Sequence, residues 1–202
     1  MLSKQPRHGS SRSFTLLEMI LVLALLCTIA IFIFDGYFSV VQAGAVTTGA
    51  DLVNDTLTEG RASAVAQNTT VEVRLYEVLR DSGPSPVYGA LQLHWLKADG
   101  TTPAVGVAAV LPTLVAIDAT AVHSPLIAAN TQVATPDAGD RRLDSNTRVF
   151  HFLPDGSTDL SPATNWFLTI RAATQSDPAH FPADWASVAV DPATGRTQIY
   201  RP

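Results

Sequence analysis

The sequence predicts an α+β protein in which a long N-terminal helix, membrane-spanning over its first half, packs on an antiparallel β-sheet domain. Three observations predict this: an apolar run from Phe14 to Phe34, an amphipathic continuation to Gln67, and a change to period two after Asn68 with turn residues recurring as far as Gly195. The expected organisation is a basic leader (1–13), a membrane helix (14–35), its amphipathic continuation (36–67) and an exported β-rich head (68–202) with a loop-rich insertion around 101–142. A chain of 202 residues accommodates one ordinary domain plus a membrane element.

The leader carries Lys4, Arg7 and Arg12 with His8 and no acidic residue. The apolar run FTLLEMILVLALLCTIAIFIF follows, and its 21 residues, at about 1.5 Å each, cover roughly 30 Å of hydrocarbon. The basic flank predicts a single pass with a cytoplasmic N-terminus and an exported remainder. Asp35 and Gly36 close the run, and Tyr37 and Phe38 suit the far interface. Bulky Ile29, Ile31, Phe32, Ile33 and Phe34 make poor context for ordinary signal cleavage, so the segment is expected to stay attached as an anchor. Cys27, the only cysteine, lies inside the run and reads as a small apolar side chain.

Glu18 is out of place in such a run. A carboxylate near the start of a spanning helix costs on the order of 1 to 3 kcal/mol, depending on depth. Two readings stand on charge position alone: the side chain reaches the headgroups, or it awaits a partner.

Beyond Val40, residues Val46, Ala50, Val53, Leu57 and Ala64 recur at steps of three and four, with Gly60 in the gap, while Asp51, Asp55, Thr58 and Glu59 lie opposite. That stripe should pack on a sheet. Gly36, Gly44, Gly49 and Gly60 each lower helix propensity by up to about 1 kcal/mol, which favours bending or fraying. Val71, Val73 and Leu75 then alternate with Glu72, Arg74 and Tyr76, predicting a strand with one buried face. Asp81 to Pro86 is a turn, Gly89 to Lys97 a second strand, and Ala98 to Thr101 another turn. Residues 101–142 lack clean periodicity; Leu111 to Ile117 suits a strand, and Thr131 to Asp140 an exposed loop. Thr147 to Leu153, Trp166 to Ala172, Trp185 to Val190 and Arg196 to Tyr200 read as strands, separated by turns such as Pro154 to Ser157 and Asp191 to Gly195.

The string RSFTLLEMILVLALL, Arg12 to Leu26, resembles the class III signal of type IV pilins and type II secretion pseudopilins. The resemblance implies that a prepilin peptidase cuts between Ser13 and Phe14, that Phe14 is N-methylated, and that Glu18, fifth from the new end, acts in assembly. In that family the residue before the cut is usually Gly. Ser13 departs from this, and being small it keeps the cleavage expectation. Cleavage would create an amine at Phe14 that Glu18 of a neighbouring subunit can pair with where an unpaired charge is costly.

The early stretch DLVNDTLTEGRASAVAQNTTVEVRL, the late FLPDGSTDL and the closing DPATGRTQIY are similar to the H-type minor pseudopilin domain. WFLTI, PADW, DPATGR and YRP are similar to pilin-like proteins of the Verru_Chthon cassette protein D family. These resemblances imply a pilin-like fold. They imply a structural subunit of the bacterial inner membrane with a periplasmic head, assembled into a type II secretion or type IV pilus-like filament that can reach the cell exterior. The implied partners are the prepilin peptidase, other pilin-like subunits, an inner-membrane assembly platform and membrane lipid. The alternative is a membrane-tethered extracytoplasmic binding module that does not polymerise.

No enzyme, cofactor or metal is expected. His8, His94, His123, His151 and His180 are dispersed without metal-ligand spacing. Asp155 to Asp159 offers oxygen ligands but lacks an EF-hand loop with its distal Glu, and Asp-Gly is explained by turn geometry. Trp95, Trp166 and Trp185 are expected to fill the core rather than line a binding surface. A net charge of -5 with 13 scattered basic residues offers no footprint for nucleic acid.

Overall fold

A computed structural model describes residues 15–78, 87–128, 147–173 and 184–202, the side chains of 32–36 excepted. The order of elements is α1 (Leu16–Gln67), β1 (Thr70–Val78), β2 (Val87–Leu96), β3 (Ala104–Val110), β4 (Val115–Ile117), α2 (Pro125–Ala128), β5 (Arg148–Phe152), β6 (Trp166–Ala172), β7 (Trp185–Val190) and β8 (Thr197–Tyr200). The chain divides into two compact units, Met1–Val40 and Val41–Pro202.

In the second unit, the strands form one sheet in the order β5-β1-β2-β4-β6-β7-β8, with β3 also paired to β2. Neighbours pair antiparallel, as Val73↔Leu93, Val73↔Phe150 and Leu168↔Val188 illustrate. The α1 stripe packs on this sheet as the helical spacing requires: Val46, Ala50, Val53, Leu57 and Ala64 join Val73, Leu75, Phe150, Leu168, Ile170 and Val188 in a single buried cluster. Every member of that cluster lies in Val41–Pro202, so this unit carries its own core. Leu57 is fully buried, and truncating such a leucine to alanine costs about 2 to 5 kcal/mol.

α1 is continuous over residues 16–67, so the glycines do not break it. Two of them are contact points. A Cβ at Gly49 would meet Val115 Cγ2 at 3.1 Å and Ile170 Cγ2 at 3.3 Å, and one at Gly60 would meet Leu93 Cδ2 at 3.0 Å and Phe152 Cδ2 at 3.3 Å. Close approach of helix and sheet outweighs local propensity there. The helix ends in a Schellman arrangement, with Asn68 at φ 47°. The Thr69 N–H donates to Ala64 O at 3.1 Å and the Asn68 N–H to Val65 O at 3.3 Å. Asn68 turns the chain directly into β1.

The late turns tie the sheet to the helix. Arg61 Nε donates to Thr194 O at 2.7 Å, the Thr158 N–H to Pro192 O at 2.9 Å, and Thr197 Oγ1 to Asn54 Oδ1 at 2.7 Å.

Several expectations need correction. β1 is buried on both faces, with Glu72 and Arg74 8% and 5% exposed, because their charges are neutralised within the sheet. β2 starts at Val87, ahead of the expected Gly89. The insertion is not simply loop: it contains β3, β4 and the short α2, and the strand expected at 111–117 is confined to Val115–Ile117. β3 showed no clean alternation because most of it is exposed and its pairing shifts between Leu91 and Leu93, where Gly106 takes φ +68°. The expected turn at 81–86 and loop at 131–140 lie outside the described residues.

Candidate functional site

The start of α1 holds the residues singled out by the sequence. Ser13 and Phe14 lie outside the described residues. Glu18 is exposed in the first helical turn, where its backbone N–H donates to Thr15 Oγ1 at 3.3 Å. Thr15 is therefore the N-cap, and Thr15-Leu16-Leu17-Glu18 has the spacing of a capping box. That T-x-x-E pattern was the overlooked signal. A carboxylate in the first turn is also favoured by the partial positive charge of the helix start.

Beyond Thr15, the described surface around Glu18 is apolar. Leu16, Leu17, Ile20, Leu21 and Leu25 are 55 to 79% exposed, and Thr28 turns its hydroxyl back onto Ala24 O at 2.8 Å. An all-round apolar helix is stable only when something covers it. Among the described residues no helix is long and apolar enough to cross a membrane. In the sequence the apolar run continues through 32–34, whose side chains are not described. Cys27 is exposed on this stretch.

A second cluster lies on the sheet face opposite α1. His151 Nδ1 meets Asp159 Oδ2 at 2.6 Å, His151 Nε2 meets Glu72 Oε2 at 3.3 Å, and Arg74 Nε donates to Glu72 Oε1 at 2.5 Å. Arg74 also donates to Thr102 Oγ1 at 3.0 Å. The hydrogen bonds to Asp159 and Glu72 outweigh burial and raise His151 to about 9. Burial pushes Glu72 upward, but hydrogen bonds from His151 and Arg74 prevail and hold it at about 2. With both ring nitrogens engaged by carboxylates, His151 has no lone pair to act as a base. The cluster joins β1 and β5 through charge.

Asp118, His123 and Ser124 bring together the residue types of a hydrolytic triad, yet their hydrogen bonds serve structure. Asp118 Oδ2 accepts from Arg171 Nε at 2.7 Å and lies 3.2 Å from His123 Nδ1. Ser124 is fully buried, and its hydroxyl accepts the Thr169 N–H at 3.0 Å. The Asp155 and Asp159 carboxylates do not act together: Asp155 accepts from Ser157 N at 2.9 Å, whereas Asp159 serves His151.

Of the three tryptophans, Trp166 fills the core at 8% exposure and Trp95 packs partly buried against it. Trp185 departs from expectation: it lies outside the core cluster and, together with an edge of Trp166, lines a cavity at the β6, β7 and β8 end of the sheet. β7 alternates, and its core-facing positions are Ala186, Val188 and Val190.

No known family matches the chain by sequence, and neither does any curated protein. In fold the chain is similar to the minor pseudopilin EpsH from the type 2 secretion system of Vibrio cholerae, at 13% identity and TM-score 0.44, covering 78% of this chain and 97% of that one. It is also similar to the type IV minor pilin FimU of Pseudomonas aeruginosa. One crystal form gives 15% identity and TM-score 0.45, covering 78% of this chain and 92% of that one. A second gives 17% and 0.43, covering 77% and 96%.

Proposed function

We propose that the chain is a pilin-like structural subunit, cut between Ser13 and Phe14 and assembled through α1 into a type II secretion or type IV pilus-like filament. One observation carries this reading: Glu18 stands on a helix start whose surrounding leucines and isoleucines have no cover within the chain's described residues. A membrane, and then the matching helices of other subunits, would supply that cover. Within such a bundle the carboxylate needs a cation, and the amine freed at Phe14 of a neighbour is one of the right charge. The head, with its own core, is then carried on the far side of the inner membrane.

Co-expression with a prepilin peptidase, followed by intact-mass measurement, tests the first step. The expected product starts at N-methyl-Phe14. A full-length product beside an active peptidase would overturn the proposal.

A further inference from the structure

We infer that the face of β6, β7 and β8 turned away from α1 is a binding trough for a neutral oligosaccharide. The pairing registers place Phe167, Ala189 and Gln198 in one row across the three strands, and Thr169, Ser187 and Tyr200 in the next. Arg171 and Trp185 form a third. The middle strand thus contributes the small side chains Ala189 and Ser187 as a floor, flanked by Phe167 on one side and by Gln198 and Tyr200 on the other, while Thr169 is fully buried beside Ser187 and Arg171 is held by Asp118. The resulting cavity measures about 970 Å³, at the upper end of the roughly 300 to 1,000 Å³ usual for ligand sites.

Its chemistry narrows the occupant. Phe167 and Tyr200, on either side of the floor, offer flat apolar faces of the kind that cover the C–H face of a sugar ring. Tyr200 donates its hydroxyl to Gln198 Oε1 at 2.9 Å, which leaves the Gln198 NH2 as a donor, and Asn165 adds a second amide. Among the described residues the charged lining groups are one acid and one base, Asp191 and Arg196. The Asp191 carboxylate already accepts from Ala193 N at 3.0 Å and Thr194 Oγ1 at 2.7 Å, with Arg196 nearby to offset it. No net charge is left to select an ion or a phosphate backbone.

A polypeptide fits less well than a sugar. β7 is paired on both sides, by β6 and β8, so the floor presents no free backbone row to which a strand could add.

The test uses the full chain in a zwitterionic, sugar-free detergent, titrated calorimetrically with cellopentaose, maltopentaose and chitopentaose. At least one should bind saturably, with a Kd of about 1 mM or tighter. Ala189→Trp, which fills the floor, should weaken that binding at least tenfold, and Gln198→Ala should weaken it independently. Val107→Ser, on the exposed β3, should leave it unchanged. Circular dichroism of each variant checks folding. Absence of binding to all three sugars, or binding that survives Ala189→Trp, would overturn the inference. So would equally tight binding of an acidic oligogalacturonate or of an uncharged Ala/Thr decapeptide.

Discussion

Gly195 and Gly156 approach so closely that a Cβ built on Gly195 would lie 2.2 Å from the carbonyl oxygen of Gly156. Gly195 also holds φ +62°, and its other neighbours are the Phe152 ring carbons at 3.1 Å. The close approach links the Asp191 turn to the Pro154 turn, and through Arg61 to the helix.

Gly195→Ala should therefore destabilise the head by about 2 to 4 kcal/mol, combining the left-handed backbone cost with overpacking. Gly100→Ala is the comparison. It has φ +80° with nothing within 4 Å of its Cβ, so only the backbone part, about 1 to 2 kcal/mol, should appear. Urea denaturation of the two variants checks the difference.

The helical glycines give a second contrast. Gly44 has nothing within 4 Å of a built Cβ, so Gly44→Ala should raise stability by about 0.5 to 1 kcal/mol through helix propensity. Gly60→Ala gains the same propensity but presses on Leu93 Cδ2 at 3.0 Å and the Phe152 ring at 3.3 Å. Leu93 can give, while the Phe152 ring sits fully buried against Phe150 with ring centroids 5.4 Å apart. Gly60→Ala should therefore fall short of Gly44→Ala, and be neutral or destabilising. Thermal melts of the full chain in detergent would show it.

These glycines also mark what was legible in the sequence. The helical stripe from Val46 to Ala64 and the alternation of Val71, Val73 and Leu75 were readable, because each faces a single apolar layer and so keeps a clean period. Gly60 was recognisable as a gap in the stripe, though not as a contact. β3 was hidden because a strand exposed on much of its surface has no face to pattern. The ion cluster of Glu72, Arg74, His151 and Asp159 was hidden for another reason: its members come from β1, from β5 and from the turn region after β5, and only the pairing of β1 with β5 brings them together. At the helix start Glu18 stood out in the sequence as a lone acid in an apolar run, while the cap by Thr15 was missed beside the louder apolar signal.

The same cluster sets a pH window for stability. His151 is raised from 6.5 to about 9, so its contribution is fully present below about 6.5 and is lost as pH rises through about 9. Glu72 is lowered from 4.5 to about 2, so its contribution is present above about 4.5 and is lost as pH falls through about 2. Their joint contribution is therefore greatest between those two unfolded-state values, near pH 5 to 6. Melting temperatures of the wild type should fall on the alkaline limb between about pH 7 and 9. His151→Gln should be less stable near pH 6 and should flatten that limb, and an unchanged alkaline slope in the variant would refute the assignment.

The helix-start role of Glu18 and the assembly role proposed for it are separated by one pair of substitutions. As the third helical residue after the Thr15 cap, it can serve the helix start, a role that glutamine performs nearly as well. In the proposed role, as a charge awaiting the amine of an adjacent subunit, it could not be replaced by glutamine, because the amide would leave that cation unpaired in a low-dielectric setting. Glu18→Gln should therefore spare membrane insertion and cleavage after Ser13 but abolish polymer formation. Thr15→Ala removes the cap, at a cost of about 0.5 to 2 kcal/mol, and keeps the charge, so polymers should still form. Sedimentation of sheared filaments, with intact-mass measurement of the processed chain, reads both outcomes. Filaments from Glu18→Gln together with none from Thr15→Ala would assign the carboxylate to the helix cap and leave the assembly role without support.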